Sequence, residues 1–199
     1  MRLFIAINFK LGTISRLMEL RDELRAQSVR GRFSPPENMH LTLAFLGECD
    51  KRQLTAARSA MDEMSFIPFP VSVERIGRFK RDGGDIWWAG VKASDALIEL
   101  QGLLTEKLNT RGFSLDSRLY SPHITLGRDV VLDPSPVPGG FSIARFKPEV
   151  VSLNPARAIE PFWEMVKKID LMKSERVAGK LTYTPVYSKI GQASYQYAN

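Results

Sequence analysis

The sequence predicts an α+β fold with largely antiparallel sheets. Two observations carry this: apolar spacing switches repeatedly between period two and period 3.6, and short turns join some of the strand candidates into hairpins. Those hairpins argue against a doubly wound parallel sheet, in which strand and helix would alternate throughout. No stretch is rich enough in Pro, Gly or Ser to divide the 199 residues, so one domain over residues 1–199 is expected. A chain of this length can bury about 70% of its unfolded surface without a disulfide or metal staple.

Taken in order, Arg2 to Phe9 is a compact apolar strand. Thr13 or Ser15 is placed to cap a helix whose apolar stripe runs through Ile14, Leu17, Met18 and Leu24. The polar turn from Phe33 to Asn38 leads into a strand from Met39 to Gly47. Asp50 and Gln53 form a capping-box pattern ahead of Leu54, Ala57, Met61 and Met64. Pro70 to Phe79 and Ile86 to Val91 form a hairpin about Arg81-Asp82-Gly83-Gly84. On its second strand Trp87 and Trp88 alternate in direction, so one should be buried and the other partly exposed.

Ser94 is placed to cap a helix carrying Leu97, Leu100, Leu104 and Leu108, and Gly112 ends it. Tyr120 to Arg128 is a strand, followed by a proline-rich loop. Residues 154–163 read as loop or short helix. Val166 to Met172 and Leu181 to Ile190 read as a closing hairpin about Gly179-Lys180, with a loosely ordered tail over 191–199.

Composition narrows the function classes. With 44% apolar, 25% charged and 10% aromatic residues, the chain has ordinary globular usage, which excludes disorder. The single cysteine, Cys49, excludes an internal disulfide and points to a reducing compartment. No apolar run approaches the ~20 residues of a membrane span. The first ten residues read as a strand rather than a signal peptide. A soluble cytoplasmic protein, expected to be a monomer, follows. The net charge of +6 favours polyanionic partners such as RNA, DNA or nucleotides.

The two histidines carry the chemistry. His40 lies in His40-Leu41-Thr42-Leu43 and His123 in His123-Ile124-Thr125-Leu126. With eight threonines in the chain, Thr two places after both histidines arises by chance in roughly one case in six hundred. On a strand, residues i and i+2 share a face. His40 therefore stands beside Thr42, and His123 beside Thr125. Leu41, Leu43 and Phe45 take the other face and enter the core, as do Ile124 and Leu126. Two imidazoles with pKa values near neutrality supply a general base and a general acid for in-line displacement at phosphorus. The threonine hydroxyls can donate to non-bridging phosphate oxygens. No cofactor or metal is demanded: a zinc site wants three or four ligands, and Cys49 has no ligand spacing to the histidines. A Ser-His-Asp triad lacks its Gly-x-Ser-x-Gly elbow.

These residues resemble the two-histidine phosphoesterase superfamily, and within it the RNA 2′,3′-cyclic phosphodiesterases, also called 2′-5′ RNA ligase-like. The likeness includes Met1 to Ile7, Pro35-Pro36-Glu37-Asn38-Met39-His40, Phe45-Leu46-Gly47, Trp88-Ala89-Gly90-Val91 and Arg128. It is clear over residues 1 to 128 and looser in Leu171 to Glu175. It implies a bilobal fold of two pseudo-symmetric lobes, each giving one motif strand to a central cleft with helices outside. It also implies metal-independent opening of an RNA terminal 2′,3′-cyclic phosphate to a 2′-phosphomonoester. Carried over by motif, His40 is the proton donor to the leaving 3′ oxygen and His123 the acceptor that activates water. Thr42, Thr125 and Arg128 hold the phosphate. The segment from Val130 to Trp163 is longer than the family pattern.

Tyr120 and Phe33 are candidates to stack on a base. Arg30, Arg32, Arg78, Lys80 and Arg81 are either an RNA phosphate track or a solvated charged face. Two other functions remain at this point. One is reversible 2′-5′ joining of RNA by the same site; the other is nucleotide or RNA binding without turnover.

Overall fold

Along the first strand, β1 (Arg2–Asn8), Leu3, Ile5 and Ile7 point to one side, and Phe4, Ala6 and Asn8 to the other. That alternation divides the molecule into a core side and a cleft side. A computed structural model describes residues 1–134 and 157–192. The other elements in chain order are α1 (Leu11–Ala26), β2 (Ser28–Phe33), β3 (His40–Glu48), α2 (Lys51–Asp62), β4 (Phe69–Phe79), β5 (Asp85–Val91), α3 (Asp95–Asn109), β6 (His123–Leu132), β7 (Arg157–Val166), β8 (Lys168–Val177) and β9 (Lys180–Ile190). A four-stranded sheet runs β3-β1-β8-β9 and a five-stranded sheet β2-β6-β5-β4-β7. Their paired strands are antiparallel throughout. This is the expected α+β class with two lobes.

One continuous core joins the inner faces of both sheets to the three helices. Ile5, Ile7 and Leu41 of the first sheet are within 1% of full burial, as are Ala89, Ile124 and Leu126 of the second. Leu17 and Leu24 of α1 and Leu97, Leu104 and Leu108 of α3 close over them. Each such Leu or Ile contributes about 1.5–3 kcal/mol relative to an exposed side chain. No helix among the described residues is long and apolar enough to cross a membrane.

The capping box forms as expected: the Gln53 N–H donates to Asp50 at 2.8 Å and the Asp50 N–H to Gln53 Oε1 at 3.0 Å. The closing hairpin turns at Gly179, whose φ of +79° suits glycine. Several expectations are corrected. Residues 157–163 belong to β7, which pairs along β4 from Phe69↔Val166 to Ile76↔Arg157. Its pattern is inverted, with Trp163 exposed and Glu164 buried, because Glu164 serves the start of α1. Its carboxylate accepts from the Lys10 N–H at 3.2 Å and the Thr13 hydroxyl at 2.9 Å. Lys10, not Thr13 or Ser15, is thus the N-cap of α1, and a carboxylate from β7 satisfies its N–H, one of the helix's orphan donors. Ser94 does hold the N-cap position of α3, but its hydroxyl makes no capping bond.

Phe33 is not the start of the turn but the last residue of the edge strand β2, which is held by pairing with β6. The strand that carries His123 begins there, after Pro122, not at Tyr120. Trp87 and Trp88 are both 3% exposed: they do take opposite faces, but each face is covered, Trp87 by the core and Trp88 by Phe79. Finally, Phe45 does not enter the core and is 63% exposed. The ladder pairs Ala6 with Thr42 and Ile5 with Ala44, so Leu43 is an extra residue. That bulge turns Phe45 onto the cleft side, opposite Phe4. Residues 135–156 of the long segment and 193–199 of the tail lie outside the described residues.

Candidate active site

Each histidine opens its strand shortly after a proline. His40 follows the 3-10 turn Pro36–Asn38 and Met39, and His123 follows Ser121-Pro122. In both, ring Nδ1 lies against the carbonyl two residues earlier, Asn38 at 2.9 Å and Ser121 at 2.7 Å. A carbonyl oxygen can only accept, so Nδ1 carries the proton in both rings. Nε2 is left for proton exchange.

Aromatic walls hold each ring. His40 lies between Phe4, at 4.8 Å between centroids, and the edge-on ring of Tyr183 at 5.2 Å. His123 lies between Phe79, edge-on at 5.2 Å, and Trp88 at 6.3 Å. Trp88 is seated by two glycines. A Cβ on Gly77 would stand 2.4 Å from its ring, and one on Gly90 would stand 2.9 Å away. Four strands distant in sequence supply these rings, and none of the four stands out as a site residue in the sequence alone. The alternation of Phe4, Ala6 and Asn8 against Leu3, Ile5 and Ile7 was the available signal for Phe4. Asn8, directly opposite His40, is held by the fully buried Asp170, to which it donates at 2.7 Å.

Burial among these rings disfavours the imidazolium form. It pushes His40 down to about 4, with the charges of Arg128 and His123 adding to the effect. His123 is lowered too, by burial and by Arg128. Arg128 thus acts on both rings, and its exposed side chain supplies the cleft with a cation. Thr42 and Thr125 stand one pleat from their histidines, half-buried on the same face. The structure therefore brings together His40, His123, Thr42, Thr125 and Arg128. Among the described residues, no three His, Cys, Asp or Glu side chains form a metal-ligand cluster.

Tyr120 packs against the core and donates its hydroxyl to the Thr42 carbonyl at 3.0 Å. Phe33 also packs against the core, with its ring beside Gly127. Among the surface cations, Arg32 pairs with Asp129, Arg78 pairs with Asp85 at 2.7 Å, and Arg30 donates to the Gly83 carbonyl at 2.5 Å.

Comparison with known proteins gives the family. Residues 12–88 match the model of the LigT-like phosphoesterases. An Archaeoglobus fulgidus protein named RNA 2′,3′-cyclic phosphodiesterase is 32% identical over 83% of this chain and 85% of its own. A Thermotoga maritima protein of the same name is 34% identical over 64% of this chain and 70% of its own. In fold, a crystal structure from Thermus thermophilus superposes with a TM-score of 0.75 at 21% identity, covering 98% of this chain and 100% of its own. Escherichia coli LigT, crystallised with 3′-AMP, gives 0.71 at 24% identity over 96% and 97%. The chain is an enzyme and belongs to the RNA 2′,3′-cyclic phosphodiesterase family of LigT-like phosphoesterases.

Proposed function

We propose that this enzyme hydrolyses RNA terminal 2′,3′-cyclic phosphate to a 2′-phosphomonoester, without a metal, by general acid–base catalysis between His40 and His123. One observation carries the reading. Two imidazoles, each pinned at Nδ1 by a main-chain carbonyl, lie within electrostatic reach of one arginine, and each shares its strand face with a threonine. The names of the relatives and the 3′-AMP bound by E. coli LigT support a nucleotide end as substrate.

In the reaction His123 Nε2 takes a proton from water as the water oxygen bonds to phosphorus. The bond from phosphorus to O3′ breaks, and His40 Nε2 delivers a proton to O3′. Thr42, Thr125 and Arg128 stabilise the charge gathering on the non-bridging oxygens. In the free cleft His40 is held at about 4, so it must gain its proton as substrate binds. The anionic phosphate supplies the cause, because a negative charge beside the ring favours imidazolium.

The test is an RNA oligonucleotide ending in a 2′,3′-cyclic phosphate, incubated with enzyme in EDTA. Wild type should yield the 2′-phosphate, and His40→Ala and His123→Ala should each lose at least about a hundredfold in rate. A 4-nitrophenyl phosphodiester, whose leaving group needs no proton, should rescue His40→Ala selectively. Rescue of His123→Ala instead would reverse the two roles, and full activity in either variant on the RNA would sink the mechanism.

A further inference from the structure

Glu74 is an extra residue in β4. Val73 pairs with Val91 and Arg75 with Gly90, so two steps along β4 match one along β5 and the alternation resets. Val71 and Val73 enter the core, and an unbroken ladder would send Arg75 after them. The bulge instead puts Arg75 on the cleft side, with Gly77 and Phe79. The row across the sheet is then Arg75, Gly90 and His123. Gly90 has no side chain, and the arginine fills the space. A Cβ there would stand 2.6 Å from the Arg75 Cγ and 2.7 Å from its Nε. The arm of Arg75 therefore crosses β5 towards the strand that carries His123, alongside the Trp88 ring.

Nothing within the protein answers this donor. Among the described residues the Nε of half-buried Arg75 is buried and meets no acceptor. The adjacent carboxylate, Glu74, accepts instead from the Ser72 hydroxyl at 2.9 Å. Arg32 and Arg78, by contrast, pair with Asp129 and Asp85. Withdrawing part of a guanidinium from water without a counter-charge is costly, and an anion bound at this wall would remove the cost. The planar fork of arginine matches a phosphate. Arg128 already acts on both histidines. Arg75 starts two strands from His123, about 10 Å between main chains, so it is placed for a charge other than the one under attack. On a nucleotide with a 2′,3′-cyclic end, the position for a further phosphate is O5′.

We infer that Arg75 forms a second anion subsite, which binds the phosphate at O5′ of the ribose whose cyclic phosphate lies between the histidines. This role rests on the phosphoesterase reading and extends its substrate by one phosphate. That phosphate is the internal phosphodiester of an RNA chain or a terminal 5′-monoester, and the substrates separate the two.

Steady-state kinetics would be measured for wild type, Arg75→Met and Arg75→Lys. The substrates are 2′,3′-cyclic AMP, its 5′-phosphorylated form, a dinucleotide with a cyclic end, and that dinucleotide with an uncharged methylphosphonate linkage. Methionine keeps an apolar stem over Gly90 and removes the charge; lysine keeps the charge. Arg75→Met should raise KM about tenfold or more wherever the second phosphate is bound, with kcat nearly unchanged, and Arg75→Lys should recover part of the loss. A rise with the dinucleotide identifies the internal phosphodiester. One confined to 5′-phosphorylated cyclic AMP identifies the monoester. The penalty should be absent with cyclic AMP and with the methylphosphonate. An equal penalty on all four substrates would show that Arg75 acts only by packing against Trp88, and an unchanged KM throughout would also overturn the subsite. If wild type turned over none of these substrates, the hydrolytic reading would fail by itself. Calorimetry with 3′-AMP and with adenosine 3′,5′-bisphosphate would then decide the subsite: Arg75→Met must weaken binding of the bisphosphate alone, and any other result would overturn it.

Discussion

The Tyr120 hydroxyl donates to the Thr42 main-chain carbonyl at 3.0 Å, so the segment leading into the second motif is tied to the strand that carries the first. This bond spans 78 residues and joins the two halves of the cleft. The hydroxyl is buried, and burial raises its pKa well above the ordinary phenol value, so it remains a neutral donor throughout the working range. Tyr120→Phe keeps the ring's packing and removes the bond. Unfolding free energy should fall by about 1–2 kcal/mol. Turnover should fall by up to about tenfold, because small misplacements of catalytic groups are costly. Chemical denaturation and steady-state kinetics check both. Wild-type values for both would mean that the tie does not position the site.

Half-buried His40 predicts a pH-dependent stability. Its folded pKa is about 4 against an ordinary 6.5. Between those values the unfolded chain binds the proton and the folded one does not, so stability rises with pH across the window. The contribution is complete above about pH 6.5 and lost as pH falls towards 4. It is on the order of 2 kcal/mol once solvent screening of a half-buried ring is allowed for. His40→Gln should flatten the difference in stability between pH 7 and pH 4.5, measured by urea unfolding. An unchanged slope would assign the effect to other groups.

Gly77 gives a third test. The Trp88 ring passes where a Cβ would stand, at 2.4 Å, and the same ring walls His123. Gly77→Ala must displace Trp88 and should destabilise the fold by about 1–3 kcal/mol through overpacking. Turnover should drop with it, by about tenfold, because the His123 wall moves. Gly12→Ala on exposed α1 meets nothing within 4 Å and should leave turnover alone while stabilising slightly. Melting curves and rates for the pair separate a local clash from a general intolerance of alanine.

What was legible in the sequence was local. The His–Thr pairs were visible because i and i+2 share a face on any strand, and the Asp50–Gln53 box because its partners lie three residues apart. Phe45 was misplaced because strict alternation assumes an unbroken ladder, and an extra residue at Leu43 appears only in the pairing with β1. β7 escaped because its buried glutamate serves Lys10 and Thr13, about 150 residues away. The rings around the histidines could not be assembled from sequence, since Phe4, Phe79, Trp88 and Tyr183 meet them only when the two sheets form. Chemistry was thus readable before its surroundings were.

Those surroundings set the pH behaviour, and Arg128 is the group through which to test it. Burial lowers the pKa of both histidines and the arginine's positive charge adds to it, so both limbs of the kcat/KM profile lie on the acid side of an ordinary imidazole. Arg128→Ala removes a charge that opposes protonation. Both pKa values should therefore rise, moving the two limbs to higher pH. The same change removes a charge-assisted hydrogen bond to the phosphate, and KM should rise about tenfold or more. Arg128→Lys keeps the charge while losing the planar fork, so it should hold the limbs in place while KM still rises. Profiles of the three enzymes on one cyclic nucleotide decide the matter. Limbs that stay fixed in Arg128→Ala would place the arginine's charge away from the imidazoles, leaving it at most a contact for substrate.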